Sequence, residues 1–173
     1  NLINEKISKV LAHGKYILGP EVAELEQQLV SYTGAEHCIS CGNGTDALQI
    51  ALMALGVGPG DEVIVPSNTY IATWLAVSAL GALPVPVEPD EETYNISIEG
   101  IAKNITSKTK AIIPVHLYGH PVDMDPIENF IRDKDIFLLF DGAQAHGSKY
   151  RGRSIGGIGD ATAWSFYPGK NLG

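Results

Sequence analysis

Positive charge is scarce in this 173-residue chain, where 12 Lys and Arg stand against 20 Asp and Glu for a formal net charge of −8. Nucleic-acid surfaces are built from clustered Lys and Arg, so no nucleic-acid partner is expected. A small phosphorylated ligand stays open, because backbone N–H groups at a helix start bind an anion against an unfavourable global charge. Long apolar runs are missing as well. None reaches the ~18 residues of a membrane span, and no basic-then-apolar leader opens the chain. The expectation is a soluble, cytoplasmic protein without a membrane partner. Cysteine is nearly absent: Cys38 and Cys41 form a lone C-x-x-C. Without a second pair at zinc spacing, no structural metal is expected. Ile39 and Ser40 continue a strand-like run, in which small sulfur side chains pack as apolar groups. Repeats, low-complexity stretches and evident linkers are lacking too.

What remains is a globular composition, 45% hydrophobic and 18% charged, sufficient for one ordinary core. Two amphipathic helices open the chain. Leu2, Ile3, Ile7, Val10 and Leu11 form one apolar stripe; Val22, Leu25, Leu29 and Tyr32 form another after Pro20. From residue 37 strands and helices alternate. The expected strands are 37–41, 62–66, 83–87, 111–115, 136–140 and 161–165, with helices near 45–55, 70–80, 98–105 and 125–133. Gly56 and Gly81 stand at C-cap positions, and Ser67, Asn68 and Thr69 at an N-cap. Near-continuous apolar strands separated by helices imply a sheet buried on both faces. The fold class is therefore α/β, a three-layer α/β/α sandwich with a mostly parallel sheet. Residues 1–34 read as a helical segment and 35–173 as the large domain.

Open sheets of this kind bind ligands beyond the carboxyl ends of their strands. Five successive strand ends carry polar clusters: GNGTDAL (42–48), SNTY (67–70), HLYGH (116–120), DGAQAH (141–146) and FYPGKN (166–171). Gly42, Gly44 and Ala47 also satisfy G-x-G-x-x-A, a dinucleotide fingerprint, with Asp61 and Glu62 following. That NAD(P)-dependent oxidoreductase reading lacks a ribose-binding acid at the end of the next strand and gives the later clusters no role. Pyridoxal phosphate needs a lysine, a carboxylate against the pyridinium nitrogen and a phosphate cradle. Lys170 in its Pro-Gly-Lys turn suits the first and Asp141, after an all-apolar strand, the second. Ser165 joins Gly44 and Thr45 for the third. His116, His120, Asp123 and Asp125 make a metal site on paper, but a turn and helix cap shaped by Pro121 is the expected reading.

The segments YILGPEVAELE (16–26), CGNGTDALQIALMALGVGPGDEVIVPSNTYIAT (41–73), TKAIIPVHLYG (109–119), DGAQAHGSKYRGRSIG (141–156) and SFYPGKNLG (165–173) resemble the DegT/StrS-type family of sugar aminotransferases. The Asp141 to Lys170 spacing and the Ser165-x₄-Lys170 arrangement agree with that family's pattern. The resemblance implies the large domain of an aspartate-aminotransferase-like enzyme, lacking its small C-terminal domain and hence apparently truncated. It implies pyridoxal 5'-phosphate as cofactor, with pyridoxamine 5'-phosphate as its intermediate form.

By the same resemblance Lys170 matches the Schiff-base lysine, which also moves the proton, and Asp141 the pyridinium partner. Gln144 matches the contact to the ring hydroxyl, Tyr70 and Ala143 the two ring faces, and Gly44, Thr45, Asp46 and Ser165 the phosphate cradle. Family members are similar in working as homodimers with the active site at the subunit interface. They pass an amino group, usually from glutamate, to a nucleotide-linked keto-sugar by a ping-pong mechanism. Segments 72–82 and 115–125 resemble members acting on thymidine-diphosphate 3-keto-6-deoxyhexoses, with 4-keto and uridine-diphosphate sugars as alternatives. A dehydratase branch carries histidine where this chain has Lys170, which argues against that branch.

Overall fold

A computed structural model describes residues 1–172; Gly173, the last residue of the lysine segment, lies outside them. The elements are α1 (Leu2–His13), α2 (Pro20–Thr33), α3 (Gly44–Ala54), β1 (Glu62–Pro66), α4 (Ile71–Ser78), β2 (Leu83–Val87), α5 (Ile98–Asn104), β3 (Thr109–Ile112), α6 (Met124–Ile131), β4 (Phe137–Asp141), β5 (Lys149–Tyr150), β6 (Arg153–Ser154) and β7 (Ala161–Ala163). Five strands pair in parallel in the order β2-β1-β3-β4-β7, and β5 and β6 form a separate antiparallel hairpin. Pro84 and Pro86 lie in β2, at the sheet edge, where a residue without an N–H leaves no ladder bond unmade on the open side.

Period-2 alternation sends successive strand side chains to opposite faces, and two cores result. Val63, Val65, Ala111, Ile113, Leu139 and Ala163 pack with Leu48 and Leu52 of α3 and Ala76 and Val77 of α4. Ile64, Ile112, Leu138 and Phe140 pack on the other face with Ile101 of α5 and Met124, Ile127 and Ile131 of α6. Helix, sheet and helix therefore make the three expected layers. Gly56 and Gly81 follow α3 and α4 with φ of 77° and 73°, and their N–H groups return to Met53 and Ser78 carbonyls. Gly56 thus directly follows the C-cap of α3, Leu55, while Gly81 stands two residues beyond the C-cap of α4, Ala79.

Several expectations fail, and among them β3 ends at Ile112 and β7 at Ala163, short of the expected 115 and 165. Residues 37–41 form no strand among the described residues. The Ser40 N–H and hydroxyl both bond Glu26 Oε1 at 2.8 Å instead of a neighbouring backbone, and Ile39 is 84% exposed. Cys41 is exposed and Cys38 only half-buried; burial pushes the Cys38 thiol up, which disfavours the reactive thiolate. The Ser67–Thr69 cap is also absent. Tyr70 occupies the N-cap of α4 without a side-chain cap bond, Asn68 Nδ2 donates to the Tyr94 carbonyl, and Thr69 bonds Thr73. Finally, β4 ends on Asp141, one residue beyond the expected strand, because its backbone still bridges Val115.

Candidate active site

Asp141 ends the interior strand β4 and is 7% exposed. Oδ1 accepts the Ala143 N–H at 3.1 Å, and Oδ2 accepts the hydroxyl of Thr73 at 2.9 Å. Burial pushes this carboxyl above the usual carboxylate range; the two hydrogen bonds and the charge of Lys170 oppose it. A carboxylate held this way needs a cation on its remaining lone pairs.

The amino end of α3 approaches the same region. Asn43 caps it, accepting the Asp46 N–H at 3.0 Å and donating Nδ2 to the Asp46 carboxylate at 2.9 Å. The Asp46 N–H is therefore already taken, and the cradle read from sequence loses one of its three amides. Gly44 and Thr45 occupy the first helical turn, whose N–H groups have no intrahelical acceptor. A Cβ on Gly44 would stand 2.8 Å from Ser165 Cβ and 3.4 Å from the Trp164 carbonyl. Only glycine lets α3 approach the end of β7 so closely, and the approach brings the start of α3 against Ser165. Ser165 Oγ accepts the Tyr167 N–H at 3.4 Å, so its proton is left to donate. Free amides at a helix start with a serine hydroxyl packed against them suit a monophosphate. The residues present fit pyridoxal phosphate.

Lys170 follows β7 in a turn closed by its own N–H on the Tyr167 carbonyl at 2.8 Å, with Pro168 at the second position, where its fixed φ suits a turn. Its charge acts on both Asp141 and His146. Gln144 Oε1 accepts the Tyr118 N–H at 2.7 Å, which aims its amide NH₂ away from Tyr118 and leaves it available to a ring hydroxyl. Tyr118 adopts φ 55° to make that bond, a left-handed conformation that costs a tyrosine on the order of 1 kcal/mol. Tyr70, at the start of α4, exposes 71% of its surface as an open platform. Hydrogen bonds thus join Asp141, Ala143 and the α4 segment behind Tyr70, while close packing joins Gly44 to Ser165.

Sequence reasoning assigned no role to two neighbours. Thr73 is fully buried against Asp141; its signal is the Thr69-x₃-Thr73 spacing, which brings the two hydroxyls together at the start of α4. His146 packs between Trp164 and Phe166, ring centroids 5.2 and 5.1 Å away. Neither of its ring nitrogens finds a hydrogen-bond partner among the described residues. Burial first, then the charge of Lys170, push its imidazole toward the neutral form. The paper metal site is dispersed. His116 Nδ1 accepts the Val122 N–H at 3.1 Å, while Asp125 pairs with Arg151 and Arg153 and Asp123 takes the Tyr150 hydroxyl.

The chain matches, over residues 1–173, the model of the DegT/DnrJ/EryC1/StrS aminotransferase family. It is 53% identical over 167 residues to the dTDP-3-amino-3,4,6-trideoxy-alpha-D-glucose transaminase of Streptomyces venezuelae, covering 96% of this chain and 44% of that protein. The chain thus spans less than half the length of that relative. A crystal structure of S. venezuelae DesV in complex with a ketimine intermediate superposes with a TM-score of 0.95 at 52% identity, covering 98% of this chain and 46% of the other. NtdA from Bacillus subtilis, solved with its bound cofactor PMP, superposes with a TM-score of 0.91 at 38% identity, over 99% and 38% of the two chains. No helix among the described residues is long and apolar enough to cross a membrane.

Proposed function

The chain belongs to the DegT/DnrJ/EryC1/StrS aminotransferase family, and from that premise we propose that the protein is a pyridoxal-phosphate-dependent aminotransferase acting on a nucleotide-linked keto-sugar. The observation that carries the reading is the buried Asp141 carboxylate, held on both oxygens at the end of β4. It lies within the electrostatic reach of Lys170. When bound, pyridoxal phosphate supplies the electron sink that the removal of a proton from an amine-bearing carbon requires.

The chain's own residues do the rest. Lys170 Nζ would hold the cofactor and would take or return the proton at the substrate carbon. Asp141 holds a proton on the ring nitrogen and so keeps the sink charged. Gln144 donates its amide to the ring hydroxyl; Tyr70 and Ala143 flank the ring. The Gly44 and Thr45 amides and the Thr45 and Ser165 hydroxyls hold the phosphate, and Asp46, locked to Asn43, stiffens the turn beneath them.

Residues 35–173 are the cofactor-binding large domain in this reading, with residues 1–34 a helical segment ahead of it. The whole protein is a homodimer with its active site at the subunit interface. Glutamate is the amino donor in a ping-pong exchange, and the acceptor is a thymidine-diphosphate 3-keto-6-deoxyhexose. The transaminase similarity is compatible with that acceptor, and 4-keto and uridine-diphosphate sugars are the alternatives.

Borohydride reduction of the full-length protein with pyridoxal phosphate, followed by peptide mapping, places the label on Lys170. Label on another lysine, or none, overturns the assignment. Product analysis with glutamate and a panel of nucleotide keto-sugars then selects among the acceptors.

A further inference from the structure

Asp141 and Tyr70 lie on different elements, and one side chain is bonded to both segments. Thr73 is fully buried in the first turns of α4. Its N–H donates to the Tyr70 carbonyl at 3.1 Å. Its hydroxyl lies 2.9 Å from Asp141 Oδ2 and 3.0 Å from the Thr69 hydroxyl. Proton counting gives this chain a direction. An ionised carboxylate only accepts, and a threonine hydroxyl has one proton to give. Thr73 therefore donates to Asp141 and must accept from Thr69.

We propose that Thr73 is a positioning residue for the reaction. It fixes the carboxylate of Asp141 relative to the Tyr70 platform, and the Thr69 hydroxyl polarises it from behind. The assignment rests on the reading of Asp141 as the partner of the ring nitrogen. Each oxygen of Asp141 receives one donor from within the fold, so the remaining lone pairs have a set direction. Because Thr73 also holds the Tyr70 carbonyl, the direction of the carboxylate and the start of the aromatic platform are set by one residue. A relay of this kind also strengthens the carboxylate's preference for its charged form, since each hydroxyl in the chain polarises the next.

The sign of the consequence follows. Without the Thr73 donor, burial acts on Asp141 with less opposition, and only Ala143 N–H and the charge of Lys170 remain to counter it. The carboxyl, now the stronger base, would draw the shared proton away from the ring nitrogen, and the ring would carry less positive charge. The nitrogen of Lys170, bound to that ring, keeps its own proton to higher pH.

The test uses the full-length holoenzyme as wild type, Thr73→Val, Thr73→Ser and Thr69→Val. The pH midpoint of the visible absorption of the bound cofactor reports the proton at Lys170. It is expected to rise by about one unit in Thr73→Val, with kcat falling about tenfold. Thr73→Ser restores both, because its hydroxyl occupies the same place. Thr69→Val, which removes only the outer donor, shifts the midpoint in the same direction by less, and serves if Thr73→Val does not fold. A lowered melting temperature with an unmoved midpoint in both valine variants means that Thr73 is only structural, and overturns the proposal. Wild type that develops no cofactor absorption through Lys170 overturns the functional reading and this assignment together.

Discussion

Two buried residues, Asp141 and His116, are pushed toward their neutral forms by the same cause and act on stability with opposite signs. The carboxyl of Asp141 is raised by burial, so in the cofactor-free protein the folded state retains a proton that the unfolded chain releases. Stability contributed at this residue falls as pH rises above the ordinary carboxylate range. His116 has no exposed surface and stacks on Phe140 at 4.9 Å. Burial, helped by His120, lowers it to about 4. The unfolded chain binds its proton first, near 6.5, so stability is complete above that value and is lost as pH falls toward 4. One proton over that interval is worth about 3 kcal/mol. His116→Asn keeps an oxygen where Nδ1 accepts the Val122 N–H. It should be less stable at neutral pH through lost stacking, yet show a flatter acid limb when unfolding free energy is measured by urea titration between pH 7 and 4. An equally steep limb in the variant would assign the acid sensitivity to other groups. The burial of Asp141 and the turn at Lys170 were legible because an all-apolar strand and a Pro-Gly pair leave marks in sequence. The directed bond from Thr73 was not, since 68 residues separate it from its acceptor.

Among the elements, those whose apolar pattern is answered by both faces of the sheet were legible to within a few residues. Strand β1 matches its expected range, and α3 begins one residue early. The failure at 37–41 has a physical reason: a strand exists only with a partner. This apolar segment is satisfied by Glu26 and by no ladder among the described residues. The α3 start shows the opposite case, where a single atom decides an approach. Ala at position 44 favours the helix by up to about 1 kcal/mol, but its Cβ meets Ser165 Cβ at 2.8 Å. Gly44→Ala should therefore lower the melting temperature of the cofactor-free protein, because the clash with Ser165 outweighs the helix gain. The moved helix start costs pyridoxal-phosphate affinity about tenfold, worth roughly 1.4 kcal/mol. Equilibrium dialysis beside thermal melts separates the two; unchanged affinity would mean that α3 does not form the cradle.

At the scale of the molecule, layer order and strand direction decide between two ligands that share one glycine-rich turn. A dinucleotide site needs a strand before that turn and a ribose-binding acid at the carboxyl end of the next strand. Here the segment before Gly42 is not a strand. Glu62 begins β1, at the amino end of the sheet and roughly 13 Å from its carboxyl end at 3.3 Å per residue. Asp61 is spent on the Gly58 N–H. At the carboxyl end stand Pro66 and Ser67, which offer no carboxylate. The full-length protein should accordingly show no measurable affinity for NAD or NADP by calorimetry. The Thr45→Val, Ser165→Ala pair removes two hydroxyls from the phosphate cradle while keeping the Gly44 and Thr45 amides. Hydrogen bonds to a charged ligand are worth roughly 1.5–3 kcal/mol each, or about one to two orders of magnitude in affinity per bond. Pyridoxal-phosphate retention in the double variant should fall by two or more orders, with each single variant between. Dinucleotide binding by the wild type, or undiminished cofactor affinity in the double variant, would return the turn to the competing reading.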